Sequence, residues 1–345
     1  MKPGSDVDMN FGVFFTYVIL LLLGVLGNVV VIRLTLKPSG RRIPPVDLLI
    51  SNLSLVNLCS IITRSTPVLL YQAFGGAALG GALCKVLGFA SILSGSMSAW
   101  LTVLLSAYYT LKLRSTPTFL MRALGSTTPM KICLATFWIT WGSLLSPTLM
   151  YINKDIWGGN QTSHGNYSQA NGMHSLGNIR RYYGCVLVIG HTRKEKMYLY
   201  SCVILCEILP AAMMLTASTM IIHTILKYRK MLVPTGELPL QVNNWVGPTI
   251  RCSSRSHCRA GLLVLALVST YLVCWATHFT VLAVSFNKAY QLAPALINGG
   301  RVAYAIYPVL CPFGLGLGRR KFQVSLRDSL CCVAAKKRRN QTQQN

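Results

Sequence analysis

The strongest constraint on this chain is a series of seven long apolar runs. They lie at about Phe11–Leu36, Val46–Tyr71, Leu83–Leu113, Met130–Tyr151, Met197–Tyr228, Ala260–Phe286 and Leu292–Leu317. A helix needs about 20 apolar residues to cross a bilayer core about 30 Å thick. Within lipid every backbone N–H and C=O must pair inside the protein, which a helix achieves on its own. The expected fold class is an all-α membrane protein, a bundle of seven transmembrane helices. Composition agrees: 12% of residues are charged, against about 25% in soluble domains. The core is expected to span residues 11–317, after a short segment 1–10 and before a tail 318–345. The first run is too long for the apolar region of a cleavable signal peptide, so it is expected to remain as a span.

The third run is rich in small and hydroxylated residues, including Ser91, Ser94, Gly95, Ser96 and Ser98. Such a helix is expected to pack closely against other helices rather than lipid. The seventh run is the least regular, broken by Arg301, Pro308, Pro312 and several glycines.

The net charge is +25, and its distribution sets the orientation. About two thirds of the Lys and Arg residues fall in alternate connections and in the tail. By the positive-inside rule those segments are cytoplasmic, which leaves the amino terminus extracellular. These cations sit between apolar runs and are not interleaved with base-stacking aromatics. The inner membrane leaflet is therefore their expected partner, and nucleic acid is not.

Two further signals fit this orientation. Asn160-Gln161-Thr162 and Asn166-Tyr167-Ser168 are glycosylation acceptors in the outer loop after the fourth run. The same triplet at Asn52 falls inside a span and at Asn340 inside the cell, where it has no such meaning. Cys84 opens the third run and Cys185 lies in that same outer loop. Both face an oxidising compartment and are expected to form a disulfide; the alternative is two free thiols. The other cysteines lie mostly within apolar runs, where they act as small hydrophobes.

Local motifs point to a family. "LGNVVVI", with Gly27-Asn28, resembles the first span of rhodopsin-like G-protein-coupled receptors. "PPVDLLISNLSLVNLCSIITRSTPVLL" resembles the second span of the vomeronasal type-1 receptors, in its Pro45-Val46-Asp47-Leu48 opening and its Arg64-Ser65-Thr66-Pro67 ending. "TILKYRK" and "IYPVLCPFGLGLGRRKF" are similar to that family's fifth-span and seventh-span endings. Within it, the chain is most similar to the fish olfactory receptors class A related, over Phe11 to Phe322. The resemblance implies a rhodopsin-like fold and a chemosensory receptor in the plasma membrane of sensory neurons. It also implies an odorant or pheromone as ligand, and a heterotrimeric G protein as partner.

"AYYTLKLRSTPTFL" instead resembles the third-span ending of the bitter taste receptors, which are the competing relatives. Those generally lack the outer cysteine pair. The chain also departs from most rhodopsin-like receptors. Ala107-Tyr108-Tyr109 stands in place of Asp-Arg-Tyr, Asn57 in place of a sodium-binding Asp, and "CWAT" (Cys274 to Thr277) lacks the proline that kinks the sixth span.

Ionisable residues within a bilayer are costly, a few kcal/mol each, and each marks a candidate site. Arg64, Glu207, His278 and Arg301 all fall about 10–16 Å below the outer helix ends, at 1.5 Å per residue. With Tyr304, one turn from Arg301, and Ser94 on the small-residue stripe, they form the candidate ligand site. Two cations and a histidine favour a small anionic or phenolic ligand. Plainer roles stand beside this one. Arg64 can snorkel to the headgroups, Arg301 can pair with Glu207, His278 can be an interhelical donor, and Ser94 can serve packing alone.

The resemblance implies a G-protein-coupling face at the inner ends of spans three, five and six, here with Tyr108, Tyr109, Lys112, Tyr228, Arg229 and Lys230. The positive-inside belt accounts for the cations there but not for the tyrosines. The loop Met231–Arg259, with three prolines and two glycines, is expected to be flexible. Its Cys252, His257 and Cys258 lack a fourth ligand for zinc, so no metal site is expected, and no cofactor. Gly318 to Leu330 suits an amphipathic surface helix, and Cys331-Cys332 beside Lys336 to Arg339 suits palmitoylation. No HExxH, GxSxG or paired acids suggest an enzyme. A transporter or channel, the alternative from another class, would show internal repeats or a ring of charge, and neither is visible.

Overall fold

A computed structural model describes residues 11–36, 43–74, 81–114, 126–154, 185–187, 193–232, 248–286 and 294–318. Among them are seven long helices. These are α1 (Phe11–Leu36), α2 (Pro45–Phe74), α3 (Gly81–Arg114), α4 (Thr127–Leu145, with a further turn at Thr148–Tyr151), α5, α6 (Pro248–Phe286) and α7 (Pro294–Gly318). The α5 rod joins Arg193–Val203, a π-helical turn at Ile204–Ile208 and Leu209–Leu232. Six of the helices are long and apolar enough to cross a membrane. The only strands among the described residues are β1 (Ile152–Lys154) and β2 (Cys185–Leu187), paired antiparallel with Lys154 opposite Cys185. They pack on α3 at the end that the charge pattern assigns to the outside.

The helices are oriented for lipid. On α1 the buried residues are Tyr17, Gly24, Asn28, Val31 and Thr35, spaced by three, four or seven, which is one face of a 3.6-residue helix. Phe15, Ile19, Leu22, Leu26 and Val30 are exposed. The polar Asn28 is thus inside and the large apolar chains outside, the reverse of a soluble helix. Close approach is made by small residues. A methyl group at Gly24 would overlap Ile61 of α2, and one at Gly27 would come within 3.0 Å of Pro312 of α7.

The proline-broken α7 is stabilised from α1. Pro312 has no N–H, so the carbonyl of Pro308 lacks its helical donor. Asn28 Nδ2 donates to that carbonyl at 3.0 Å, and to its own Gly24 carbonyl at 2.8 Å.

The α3 helix runs through the centre and touches α2, α4, α5 and α6. Its Ser94, Ser96, Ser98, Thr102, Ser106 and Thr110 are buried, as its small-residue composition leads one to expect. Most of these hydroxyls donate back to a carbonyl three or four residues earlier. Ser98 instead donates to Asn57 Oδ1 of α2 at 2.7 Å, and Thr102 Oγ1 bonds the Tyr307 hydroxyl of α7 at 2.7 Å.

One boundary differs from expectation. The α6 helix begins at Pro248, within the segment expected to be a flexible loop, and α5 continues to Leu232. Proline suits the first helical position, where its N–H would be unpaired anyway. Hydropathy marks only the part of a helix that lies in lipid, so a polar extension such as Arg251–Arg259 goes unseen. Without an internal proline, α6 is continuous through Cys274–Thr277.

Candidate functional site

Arg64 does not reach toward the headgroups. It turns inward from α2, and Nε donates to Ser60 Oγ, one turn earlier, at 2.9 Å. Nη2 approaches the Ser91 carbonyl of α3 at 3.4 Å. The guanidinium carbon lies 4.0 Å from the centre of the Tyr304 ring, a cation–π geometry. On its other face Tyr304 stacks on His278, with centroids 4.6 Å apart and planes 22° apart. The phenol is therefore held between a guanidinium from α2 and an imidazole from α6. His278 is positioned in turn by Nδ1, 3.2 Å from the Gly300 carbonyl. Gly300 allows that approach, because a Cβ there would lie 2.9 Å from Val281.

Gly95 makes the stack possible. A Cβ at this position would stand 2.6 Å from Arg64 Nη2 and 3.1 Å from the Tyr304 hydroxyl. The small residue on α3 thus leaves room for two polar groups from other helices.

Glu207 is presented by the π turn of α5. Leu209 N–H bonds the Ile204 carbonyl, five residues back, which deprives the Leu205 carbonyl of its helical donor. Trp100 of α3 supplies one, with Nε1 donating at 3.1 Å. A second indole, Trp275 of α6, donates to Glu207 Oε2 at 2.7 Å and stacks on Phe279 at 5.2 Å. Glu207 is thus engaged by Trp275 rather than by Arg301.

Two cavities meet at this cluster. The outer one, about 200 Å³, is walled by Arg64, Ser91, His278, Arg301 and Tyr304 on its polar side. Tyr17, Pro67, Val68 and Leu87 supply apolar walls. The inner one, about 10 Å³, lies below Arg64 and Tyr304 among Ser60, Ser98, Tyr271 and Tyr307. That is about the smallest void able to hold one water. Arg64 and Tyr304 border both, as the floor of one and the roof of the other.

Of the six residues expected at the ligand site, Arg64, His278, Arg301 and Tyr304 line the outer cavity. Glu207 and Ser94 do not line it: Glu207 accepts from Trp275, and Ser94 is buried with its hydroxyl on the Ser91 carbonyl at 3.2 Å. Sequence reading missed Ser60, Tyr17 and Trp275. Trp275 had a signal: it stands three residues from His278 on one helical face, and an indole N–H within a bilayer needs an acceptor.

At the inner end of α3, Tyr108 and Tyr109 form an edge-to-face pair, centroids 5.5 Å apart and planes at 88°. Lys112 Nζ lies 6.0 Å from the centre of the Tyr108 ring. Tyr228, Arg229 and Lys230 fall on the last turns of α5, and their side chains lie outside the described residues. At the outer end Cys84 is buried and disulfide-bonded, while Cys185 begins β2. Asn160, Asn166, Cys331, Cys332 and the tail segment Gly318–Leu330, apart from Gly318, also lie outside the described residues.

Comparison with known proteins gives the same architecture. The sequence profile of the 7 transmembrane receptor (rhodopsin family) matches residues 27–312. Olfactory receptor class A-like protein 4 of Danio rerio is 21% identical over 312 residues, which cover 88% of this chain and 86% of that protein.

Proposed function

The chain belongs to the rhodopsin family of seven-transmembrane receptors, and from this premise we propose that it is a chemosensory receptor for a small anionic or phenolic molecule. It is a multi-pass membrane protein and a receptor rather than an enzyme. The observation that carries the ligand reading is the outer cavity, where Arg64, Arg301 and His278 converge beside the Tyr304 ring. A guanidinium removed from water binds a carboxylate or phenolate through charge-assisted hydrogen bonds. A volume of about 200 Å³ admits only a small ligand, below the range of about 300–1,000 Å³ found for drug-sized molecules. The olfactory receptor name of the Danio rerio relative supports an odorant as that ligand; a pheromone ligand and a place in the plasma membrane of a sensory neuron follow from the resemblance to the vomeronasal type-1 receptors.

The test is to express the receptor with a promiscuous G protein and record calcium responses to a panel of carboxylates, phenols, bile acids, amino acids and bitter alkaloids. Responses that require the G protein support the reading. Ion flux or uptake without it would sink the reading. Within the responding set, Arg301→Ala is expected to abolish activation by carboxylates at normal surface expression. Unchanged responses to every active carboxylate would remove the anion from this account.

In this reading the heterotrimeric G protein engages the inner ends of α3, α5 and α6, with Tyr108, Tyr109, Lys112, Tyr228, Arg229 and Lys230. In place of an acid–arginine pair, this end of α3 carries the edge-to-face tyrosines, with Lys112 beside the Tyr108 ring. Tyr108→Phe or Tyr109→Phe is expected to shift basal signalling while surface expression stays normal. If basal activity holds in both, the pair serves packing only. Cys185 is the proposed partner of Cys84, consistent with β2 lying against α3. Asn160 and Asn166 are the proposed glycosylation sites, and Cys331 and Cys332 the palmitoylation sites.

A further inference from the structure

The outer cavity has an apolar end, and the packing of three helices fixes where it lies. At Gly24 the inward face of α1 meets α2 and α7: a methyl there would overlap Ile61 and come within 3.2 Å of Val309. Residues four or seven apart share a helical face. Moving outward from that contact, the same faces carry Tyr17 on α1, Val68 on α2 and Ala305 on α7. All three are buried, and all three line the outer cavity. The polar groups lie on the other side. Arg64 Nη2 reaches toward the Ser91 carbonyl of α3, and its guanidinium covers Tyr304, which stacks on His278 of α6. Tyr304 directly precedes Ala305, so the two point about 100° apart around α7.

The cavity also runs across the bundle. Its walls cover Thr63 to Val68 of α2, Leu87 to Ser91 of α3 and Arg301 to Ala305 of α7, which is about 6–8 Å along each helix at 1.5 Å per residue. Yet it reaches both α1, which packs on α2 and α7, and α6, which packs on α3, α5 and α7. We propose that it takes a carboxylate with a short apolar tail, lying across the bundle, and that Tyr17 gauges the length of that tail. The head lies among Arg64, Arg301 and His278, and the tail runs between Val68 and Ala305 toward α1. The proposal rests on the reading of the outer cavity as an anion site. Each tail CH2 that leaves water contributes about 0.8 kcal/mol, or about fourfold in affinity. The gain ends at the Tyr17 ring, because a further methylene forced into filled space costs rather than stabilises.

The experiment uses the full-length receptor in cells with a promiscuous G protein and two probe series. These are the unbranched carboxylates from propanoate to decanoate and the matching primary alcohols. In the unsubstituted receptor the half-maximal concentration of the acids is expected to fall about fourfold per methylene, and to stop falling at one chain length. Tyr17→Ala opens the apolar end and is expected to move that break to longer acids. A break that stays in place, or no dependence on chain length, overturns the gauge. The alcohols separate that failure from failure of the anion site. Acids preferred over alcohols, with an unmoved break, leave the anion site standing without the gauge. Alcohols as potent as acids, with a break that moves, remove the anion and leave the gauge. If no member of either series activates the receptor, both fall. Should Tyr17→Ala not reach the surface, Ala305→Leu decides. Its bulk fills the same end and is expected to move the break to shorter acids; an unmoved break overturns the proposal.

Discussion

Gly95→Ala is expected to reach the cell surface normally and yet lose about thirtyfold in sensitivity to an activating carboxylate. The added methyl would stand 2.6 Å from Arg64 Nη2, so the guanidinium must leave its place above Tyr304. Moving it takes the guanidinium out of the outer cavity wall, and a hydrogen bond between charged groups, here to the ligand carboxylate, is worth about 1.5–3 kcal/mol. About 2 kcal/mol corresponds to roughly thirtyfold in binding. Folding is spared because the atom displaced is the end of a flexible side chain, and because Ala favours a helix over Gly by about 1 kcal/mol. Dose–response curves beside surface staining make the measurement. In an Arg64→Ala background the same methyl meets no guanidinium, so its effect should largely vanish there, as a coupling in a double-mutant cycle. A Gly95→Ala curve that overlays the original would show that Arg64 is not held as described.

Asn28→Leu is expected to destabilise the whole bundle. It removes the donor to the Pro308 carbonyl at a fully buried site, and a buried polar group left unpaired costs about 1–3 kcal/mol. For a chain of this size each kcal/mol shifts the melting temperature by about 2–4 °C, so detergent-solubilised receptor should melt several degrees lower. The cause can be isolated. Pro312→Ala restores a backbone N–H that can bond the Pro308 carbonyl, so Asn28→Leu should cost markedly less in that background. Equal costs in both backgrounds would mean that Asn28 stabilises the bundle in some other way.

Much of this architecture was legible along the chain. The seven runs marked the helices to within a few residues, except where polar sequence continued a helix, as at Pro248–Arg259. The candidate site was legible as a set of positions. Arg64, His278 and Arg301 stood out because charge in lipid is rare, and the structure gathers them with Tyr304 around one cavity. Their partners were not legible. Arg64 might have snorkelled, and Glu207 might have met Arg301; instead the first lies on Tyr304 and the second on Trp275. The π turn that aims Glu207 leaves no mark in hydropathy, because it shifts the angle around the helix and not the composition.

The sequence by itself determined that this chain crosses a membrane seven times and carries a few ionisable groups in the outer half. Partition into lipid is a local sum over about twenty residues, which needs no knowledge of the rest of the fold. The tertiary structure alone decided which groups meet: Asn28 with the carbonyl freed by Pro312, Tyr304 between Arg64 and His278, Gly95 beneath the guanidinium. Those meetings join residues far apart in the chain and depend on how each helix is rotated and how closely it crosses its neighbours. Side chains three and four apart share a face within one helix, but what that face meets is set by the other six.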